Sequence, residues 1–313
     1  SYHLLSIHRL TLNVFINHSS CFLGCFSPPY SLKVHLRRPG LNSLKPLDMV
    51  LNCVDDMYNG CTEQMHNKVQ KEYLKHEIRN VGIFKQAWMK AEGCAKNVKQ
   101  RFQKDKSKYN SKDKLTHDHI KAICAYSGGQ TKIYPVFNQA VRNNRTEYTT
   151  SFQFHSLHFL LTDALRLLKE NQQGCHTTYR RTNMEFGEIR FGKFLSTSTS
   201  QTLAAEFGTE NCFEIETCYG ASVEKYTIVG PLEAEVLIPP YEKFKIEDVK
   251  KRETVKDLWC KVVFKLKSAT YLSDLNFVCV VHIFSRHTFI LVHFPSRCFN
   301  QTSLFLLSKQ TKN

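Results

Sequence analysis

Two glutamates stand two residues apart at the start of a short apolar run in PLEAEVLIPP, residues 231–240. Alternate side chains of a strand point to the same face, so a strand that begins at Glu233 would place its carboxylate beside that of Glu235. If 233 lies in a loop instead, its carboxylate can swing over Glu235. Paired carboxylates in a cleft often divide two chemical roles. An isolated Glu-x-Glu is more often a solvated strand end, so the pair must be weighed with the rest of the chain.

Two other short elements precede the glutamates, namely YRRT at 179–182 and FLSTS at 194–198. Arg180 supplies a guanidinium in the first element, and Ser196 supplies a hydroxyl in the second. Taken alone, Arg180 is typical of a surface strand, and the Ser-Thr-Ser is typical of ordinary β-forming sequence.

The elements that must position these groups change in type along the chain. Helical periodicity covers 62–104 in two runs, 115–126 with Thr116 as N-cap, and 154–171, while 133–142 is a short helix or an extended piece. Strand patterns follow at 175–182, 188–199, 212–218, 224–230, 234–251 and 258–267, and the doubled proline at 239–240 should end regular pairing locally. Helices followed by a run of strands predict an α+β fold.

Composition indicates a globular chain, and the two ends of the sequence differ in character from its middle. It has 313 residues, 42% hydrophobic content and a net charge of +15. Residues 1–46 and 268–313 contain neither a clean signal peptide nor an uninterrupted apolar span, and we expect both to be poorly ordered. The basic run at 99–114 has interleaved aspartates and no series of aromatics, which favours a solvated surface over a nucleic-acid site. A polyanion-binding function would depend steeply on salt.

The cysteines favour an oxidising compartment. The chain has twelve, and no CxxC pair is matched by a second one, so a structural zinc site is not expected. Eight of them lie within 48–267, and Asn144 begins a glycosylation sequon. Together these features predict an extracellular location.

The order and spacing of YRRT, FLSTS and Glu-x-Glu followed by VLIPPYEKF resemble the vertebrate-type arginine-specific mono-ADP-ribosyltransferases. DMVLNCVDDMYNGC near residue 48, YPVFNQAVR and LLTDALRLL add to the resemblance. It implies a domain over 47–267 in which an N-terminal helical part packs on a mixed, β-sandwich-like core with an NAD cleft. It also implies NAD+ as co-substrate, no metal, and acceptor proteins with an exposed arginine.

The resemblance assigns catalytic roles to Arg180, Ser196, Glu233 and Glu235. Glu235 would hold a ribose hydroxyl and stabilise the positive charge that grows as nicotinamide leaves, as in glycosidases. Glu233 would hold the incoming guanidinium and help to remove its proton. Arg180 would bind the diphosphate, and Ser196 would hydrogen-bond to Glu235 and to the nicotinamide ribose.

Further contacts are implied around the same cleft. Phe207 would cover the nicotinamide ring, and Thr197 and Ser198 would support the backbone. The loop 222–232 would present the acceptor, with Tyr226 as its aromatic residue.

One position departs from the family pattern. Arg181 stands where the family has a glycine whose backbone contacts nicotinamide, so Arg181 is a cofactor-binding position whose side chain could weaken catalysis. Arg181 therefore favours one alternative, a catalytically weakened secreted NAD-binding module. The other alternative is an NAD+ glycohydrolase, in which water replaces the guanidinium; Glu at 233, rather than Gln, favours arginine transfer over it.

The resemblance also pairs Cys61 with Cys260 and Cys175 with Cys218, and it makes the protein secreted or membrane-anchored. A bridge between Cys94 and Cys124 is left open.

Overall fold

The computed structural model describes residues 49–275, apart from 81, 105–111, 129–130, 132, 183–188, 205–209 and 229. Its first half is helical. The helices are α1 (Thr62–Lys68), a π-helical turn (Val69–Tyr73), α2 (Leu74–Arg79), α3 (Ile83–Lys104), α4 (His117–Ser127), α5 (Ile133–Asn143) and α6 (His155–Asn171). The segment 133–142 is thus helical and not extended.

Local sequence explains where α4 and α6 form. The Thr116 side chain accepts a hydrogen bond from the His119 N–H, and the His119 ring accepts one from the Thr116 N–H, which completes a reciprocal cap at the start of α4. In α6, Leu157, Leu160 and Leu161 are fully buried, because the apolar stripe of the helix faces the core. Both predicted helices are confirmed.

The second half forms one eight-stranded sheet, with a short helix α7 (Gln201–Ala204) after β3. The strands are β1 (His176–Thr182), β2 (Ile189–Arg190), β3 (Leu195–Ser198), β4 (Asn211–Thr217), β5 (Ala221–Ser222), β6 (Glu235–Ile238), β7 (Glu242–Lys251) and β8 (Val262–Tyr271). Their order is β2-β7-β8-β4-β1-β3-β6-β5, and only β4 and β8 pair in parallel. The sheet is therefore mixed, and the α+β prediction is confirmed.

Among the described residues there are three apolar clusters, of which the smallest surrounds the Cys212–Cys260 bridge and the other two hold the structure together. The larger one joins the helices to residues of β5 and β6. The smaller one contains Leu195 and Ile238 from β3 and β6 together with Phe244 and Leu266 from β7 and β8. Phe213 and Ile215 of β4 belong to the same cluster, so apolar side chains from five strands pack together.

The strand predicted over 224–230 is wrong. Two 3₁₀ turns, Glu224–Tyr226 and Gly230–Leu232, lie there instead. The guanidinium of Arg101 donates to the Thr227 carbonyl at 2.8 Å, so that carbonyl is bound by a side chain and not by a neighbouring strand. The segment consequently forms a loop that leads into β6.

The predicted domain boundary at 267 falls inside β8, which continues to Tyr271. Ser268 donates to the buried carboxylate of Glu242 at 2.6 Å, and Leu275 packs against the larger core. These contacts make 268–275 part of the folded unit. Residues 1–46 lie outside the described residues, as do 276–313.

Disulfides join Cys94 to Cys124, Cys175 to Cys218 and Cys212 to Cys260. The expected Cys175–Cys218 bridge is confirmed, and the Cys94–Cys124 bridge left open by the sequence is formed. The expected Cys61–Cys260 bridge is wrong because Cys212, at the start of β4, takes Cys260; Cys61 is bonded to another cysteine.

Across the part of the chain that the structure describes, no helix combines the length and apolarity that a bilayer crossing requires.

Candidate active site

Arg180 projects from β1 toward β3. β1 pairs antiparallel with β3 at Tyr179 and Ser198, and the Nη1 of Arg180 donates to the Ser196 carbonyl oxygen. Burial lowers the pKa of Arg180, while Tyr126, Tyr134 and Glu235 nearby act in the opposite direction. The guanidinium is thus a partly desolvated cation, which is the state in which an anionic ligand is bound most strongly.

The Ser-Thr-Ser segment forms β3 and ties it to β6. Thr197 Oγ1 donates to the Val236 carbonyl at 2.8 Å, and Ser198 Oγ donates to the Glu233 carbonyl at 2.9 Å. These two hydroxyls hold the backbone that precedes and begins β6, as the sequence predicts for them. Ser196 is left half-buried beside Arg180 and Glu235.

The two glutamates occupy different surroundings. β6 begins at Glu235, which is 5% exposed, whereas Glu233 lies in the preceding loop and is exposed. Ala234 between them has φ +45°, a left-handed conformation that is uncommon for a residue with a side chain. This turn of the backbone separates the carboxylates, so they do not share one strand face. The loop arrangement considered for residue 233 is the one observed.

Burial raises the pKa of Glu235. The hydroxyls of Ser196 and Ser127 lower it, the Glu233 carboxylate raises it, and the Arg180 guanidinium lowers it. Among the described residues, Oε2 of Glu235 has no hydrogen-bond partner. An acceptor that is buried without a donor costs free energy, so this carboxylate suits a ligand that brings a hydroxyl group, such as a ribose.

Sequence reasoning missed Tyr126 and Ser127 at the end of α4. The Tyr126 hydroxyl donates to the Phe194 carbonyl at 2.9 Å and accepts from Nδ2 of Asn138 at 3.0 Å. Burial raises the pKa of Tyr126 to about 12, so it stays a neutral donor beside Arg180 and Glu235. The one local signal was the polar end of an apolar helix, which is equally typical of a helix terminus exposed to water.

Arg181 points away from Arg180. Neighbouring residues of a strand face opposite sides, and the Arg181 guanidinium lies 5.4 Å from the ring centre of Trp259 and donates to the Trp259 carbonyl at 3.1 Å. The side chain that replaces the family glycine is therefore held on the other face of the sheet and does not fill the space beside Arg180.

Two predicted contacts are not placed at the site. Phe207 lies outside the described residues. Tyr226 is buried, and its hydroxyl donates a hydrogen bond to Asp113 at 2.5 Å. The prediction that its ring contacts the acceptor protein is therefore wrong. Of the side chains that the structure describes in this loop, Ile228 and Leu232 are large, apolar and exposed, at 48% and 77%.

Among the described residues, Cys175, Glu216 and Cys218 have potential metal-ligand atoms close together. Both sulfurs form the Cys175–Cys218 disulfide and are therefore not available as thiolate ligands.

Residues 47–262 match the family model described as NAD:arginine ADP-ribosyltransferase. The erythroblast NAD(P)(+)--arginine ADP-ribosyltransferase of Gallus gallus is 34% identical over 210 residues, which are 64% of this chain and 66% of that protein. Ecto-ADP-ribosyltransferase 4 of Homo sapiens is 33% identical over 243 residues, 72% of this chain and 73% of that protein. The chain spans just under two thirds, 64–66%, of the length of three Gallus gallus relatives.

A similar fold occurs in the crystal structure of the mono-ADP-ribosyltransferase ART2.2, with a TM-score of 0.56 and 28% identity over 72% of this chain and 95% of that one. A variant of ART2.2 solved in complex with NAD has a TM-score of 0.57 and 28% identity, over 74% of this chain and 96% of that one.

Proposed function

Because this chain belongs to the NAD:arginine ADP-ribosyltransferase family, we propose that it transfers ADP-ribose from NAD+ to arginine side chains of acceptor proteins and releases nicotinamide. The observation that carries the proposal is the convergence of Arg180, Ser196 and a buried Glu235 at the junction of β1, β3 and β6. Glu233 stands exposed at the edge of this group, where a protein substrate can reach it.

Each residue then has a chemical task. The bond between the ribose C1′ and the nicotinamide nitrogen breaks, and its electron pair leaves with nicotinamide, which becomes neutral. Glu235 accepts a hydrogen bond from a ribose hydroxyl and stabilises the positive charge that develops at C1′. The Ser196 hydroxyl orients Glu235, and Arg180 binds the diphosphate.

The acceptor reacts on the exposed side. A nitrogen of the acceptor guanidinium forms the new bond to C1′, and its proton passes to Glu233 and then to solvent. Glu233 is suited to this task because it is solvated and can exchange protons with water. The buried Glu235 is suited to electrostatic stabilisation because charge interactions are stronger away from water.

An extracellular location is part of the proposal. Three disulfides among the described residues are typical of oxidising compartments, and several relatives are named ecto-ADP-ribosyltransferases. We propose that the catalytic domain begins near residue 47 and extends past 267, because β8 and the contacts of 272–275 complete its fold.

The experiment incubates the full chain with NAD+ and agmatine, a small guanidine acceptor, and measures nicotinamide and ADP-ribosyl-agmatine. Equal amounts of the two products are expected. Nicotinamide without the adduct would identify a glycohydrolase, and bound NAD+ without turnover would identify a binding module. Either result would overturn the proposed transfer.

A further inference from the structure

Lys193 lies in a short segment, 190–194, whose backbone is fixed on both sides. Before it, Arg190 forms a fully buried ion pair with Asp55 at 3.0 Å, and the Phe191 carbonyl accepts a hydrogen bond from Arg142 Nη1 at 2.5 Å. After it, Phe194 is fully buried and its carbonyl accepts from the Tyr126 hydroxyl. Lys193 is partly buried, whereas the other residues of this segment are buried.

Gly192 makes the turn that sets the position of Lys193. Its φ is +59°, and a Cβ there would lie 2.5 Å from Val50 Cγ1 and 2.8 Å from Val50 Cβ, so both the conformation and the space require glycine. The backbone that carries Lys193 is therefore held in one conformation before any ligand arrives.

The surroundings of Lys193 are positively charged. The Arg142 guanidinium donates to the Phe191 carbonyl and the Arg180 guanidinium donates to the Ser196 carbonyl, so both contact the backbone within three residues of Lys193. Burial and these two guanidinium groups together lower the pKa of Lys193 to about 8. Among the described residues, none of the ion pairs involves Lys193, Arg180 or Arg142. Glu235 is the carboxylate that acts on Arg180, so the three cations outnumber it. A bound anion with more than one negative charge would relieve their remaining repulsion.

We propose that Lys193 binds a phosphate group of the dinucleotide beside Arg180, as a second cationic contact on the fixed segment 190–194. The inference rests on the proposed function, since it assigns a further ligand to the same co-substrate. A diphosphate carries two negative charges, of which the Arg180 guanidinium can offset one and the Lys193 ammonium the other. The phosphate could belong to the diphosphate of NAD+ or to the additional 2′-phosphate of NADP+.

The test uses ADP-ribose and its 2′-phosphate as probes, because neither carries nicotinamide and neither is turned over. Calorimetric titration of the full chain gives Kd for the wild type, Lys193→Gln and Lys193→Arg. Lys250→Gln is the matched control, since it removes one charge from a half-buried lysine near the far end of β7, three strands from β1. We expect Lys193→Gln to raise Kd about tenfold, which corresponds to about 1.4 kcal/mol, with Lys193→Arg within about threefold and Lys250→Gln within about twofold of wild type.

The outcomes separate the possibilities. Equal weakening of both probes by Lys193→Gln supports contact with the diphosphate, and weakening of the 2′-phosphorylated probe alone supports contact with the 2′-phosphate. Unchanged Kd values, or the same loss in Lys193→Arg as in Lys193→Gln, would overturn the assignment, because the charge would not be responsible. A decrease in kcat for agmatine transfer with an unchanged KM for NAD+ would also contradict it.

Failure of the wild type to transfer ADP-ribose to agmatine would count against the proposed function itself, and this assay does not depend on Lys193 variants.

Discussion

At the residue scale, the backbone conformation of Ala234 gives Glu233 and Glu235 their different environments. The sequence predicted that two carboxylates lie close together, and it left open whether residue 233 belongs to the strand. The left-handed φ of Ala234 places residue 233 outside the strand. The sequence does not predict this conformation, because it is typical of glycine and asparagine and residue 234 is an alanine. The burial of Glu235 likewise depends on β3 and α4 and not on its neighbours in sequence.

Glutamine substitutions should separate the two carboxylates. We expect Glu233→Gln to reduce transfer to agmatine about 100-fold and NAD+ hydrolysis less. A protonated guanidinium must lose a proton before its nitrogen can attack C1′, whereas neutral water already has a free lone pair. Glu235→Ala should reduce both reactions about 100- to 1,000-fold, since it removes the group that stabilises charge at C1′. Initial rates of nicotinamide release and adduct formation measure both.

Glu247→Gln is the control for this pair, since Glu247 is exposed on β7 and pairs with Lys267 at the surface. Equal loss of transfer and hydrolysis in Glu233→Gln, or turnover retained by Glu235→Ala, would contradict the assigned roles.

At the element scale, residue patterns predicted most helices and strands but not their partners. The N-cap at Thr116 and the apolar stripe of α6 are patterns formed by residues close together in the sequence. Because such patterns need no information about the rest of the fold, α4 and α6 could be predicted from sequence. Residues 224–230 have the alternation of a strand, yet the described ones pair with no described strand, and Arg101 binds the Thr227 carbonyl instead. The pairing of Cys260 with Cys212 follows from the parallel register of β4 and β8, which no local pattern encodes.

The turn at Ala234 can be tested by changing the shape of its side chain. Ala234→Val should lower the free energy of unfolding by about 1–2 kcal/mol, because a β-branched residue is strained at φ +45°. It should also reduce transfer, since the turn sets Glu233 against Glu235. Ala234→Gly is the control and should unfold at nearly the wild-type urea concentration. Wild-type stability in the valine variant would mean that the left-handed turn is absent in solution.

The start of α6 should be sensitive to pH. The Glu77 carboxylate accepts hydrogen bonds from the Ser156 N–H at 3.2 and 3.4 Å, and burial raises the pKa of Glu77 to about 7. Because the folded state binds this proton more tightly than the unfolded state does, the stabilisation is complete below about pH 4.5 and is lost as pH rises through 7. Its size is about 3 kcal/mol.

Glu77→Gln isolates this contribution from other titrating groups. The difference in free energy of unfolding between wild type and Glu77→Gln should favour the wild type more at pH 5 than at pH 8, as measured by urea denaturation. A difference that does not change across this range would show that the Glu77 pKa is not raised in the folded protein.

At the scale of the whole molecule, disulfides join segments that are distant in sequence. The Cys212–Cys260 bridge closes a loop with a sequence separation of 48, so replacing both cysteines by alanine should cost roughly 4 kcal/mol of stability in the chain-entropy model. The urea midpoint of the double variant measures this loss. Peptide mapping without reduction should recover Cys212 with Cys260, and recovery of Cys61 with Cys260 would contradict the structure.

The Asp55 carboxylate joins residues from both ends of the described chain. It accepts hydrogen bonds from Arg145 and Arg190 and from the backbone N–H groups of Asp274 and Leu275. Asp55 is fully buried, so it cannot keep water as a substitute for a missing donor. During synthesis on the ribosome, the hydrogen bonds to Asp55 can therefore all form only after residue 275 has left the exit tunnel. The domain is consequently expected to reach its final fold only after nearly all of it has been translated.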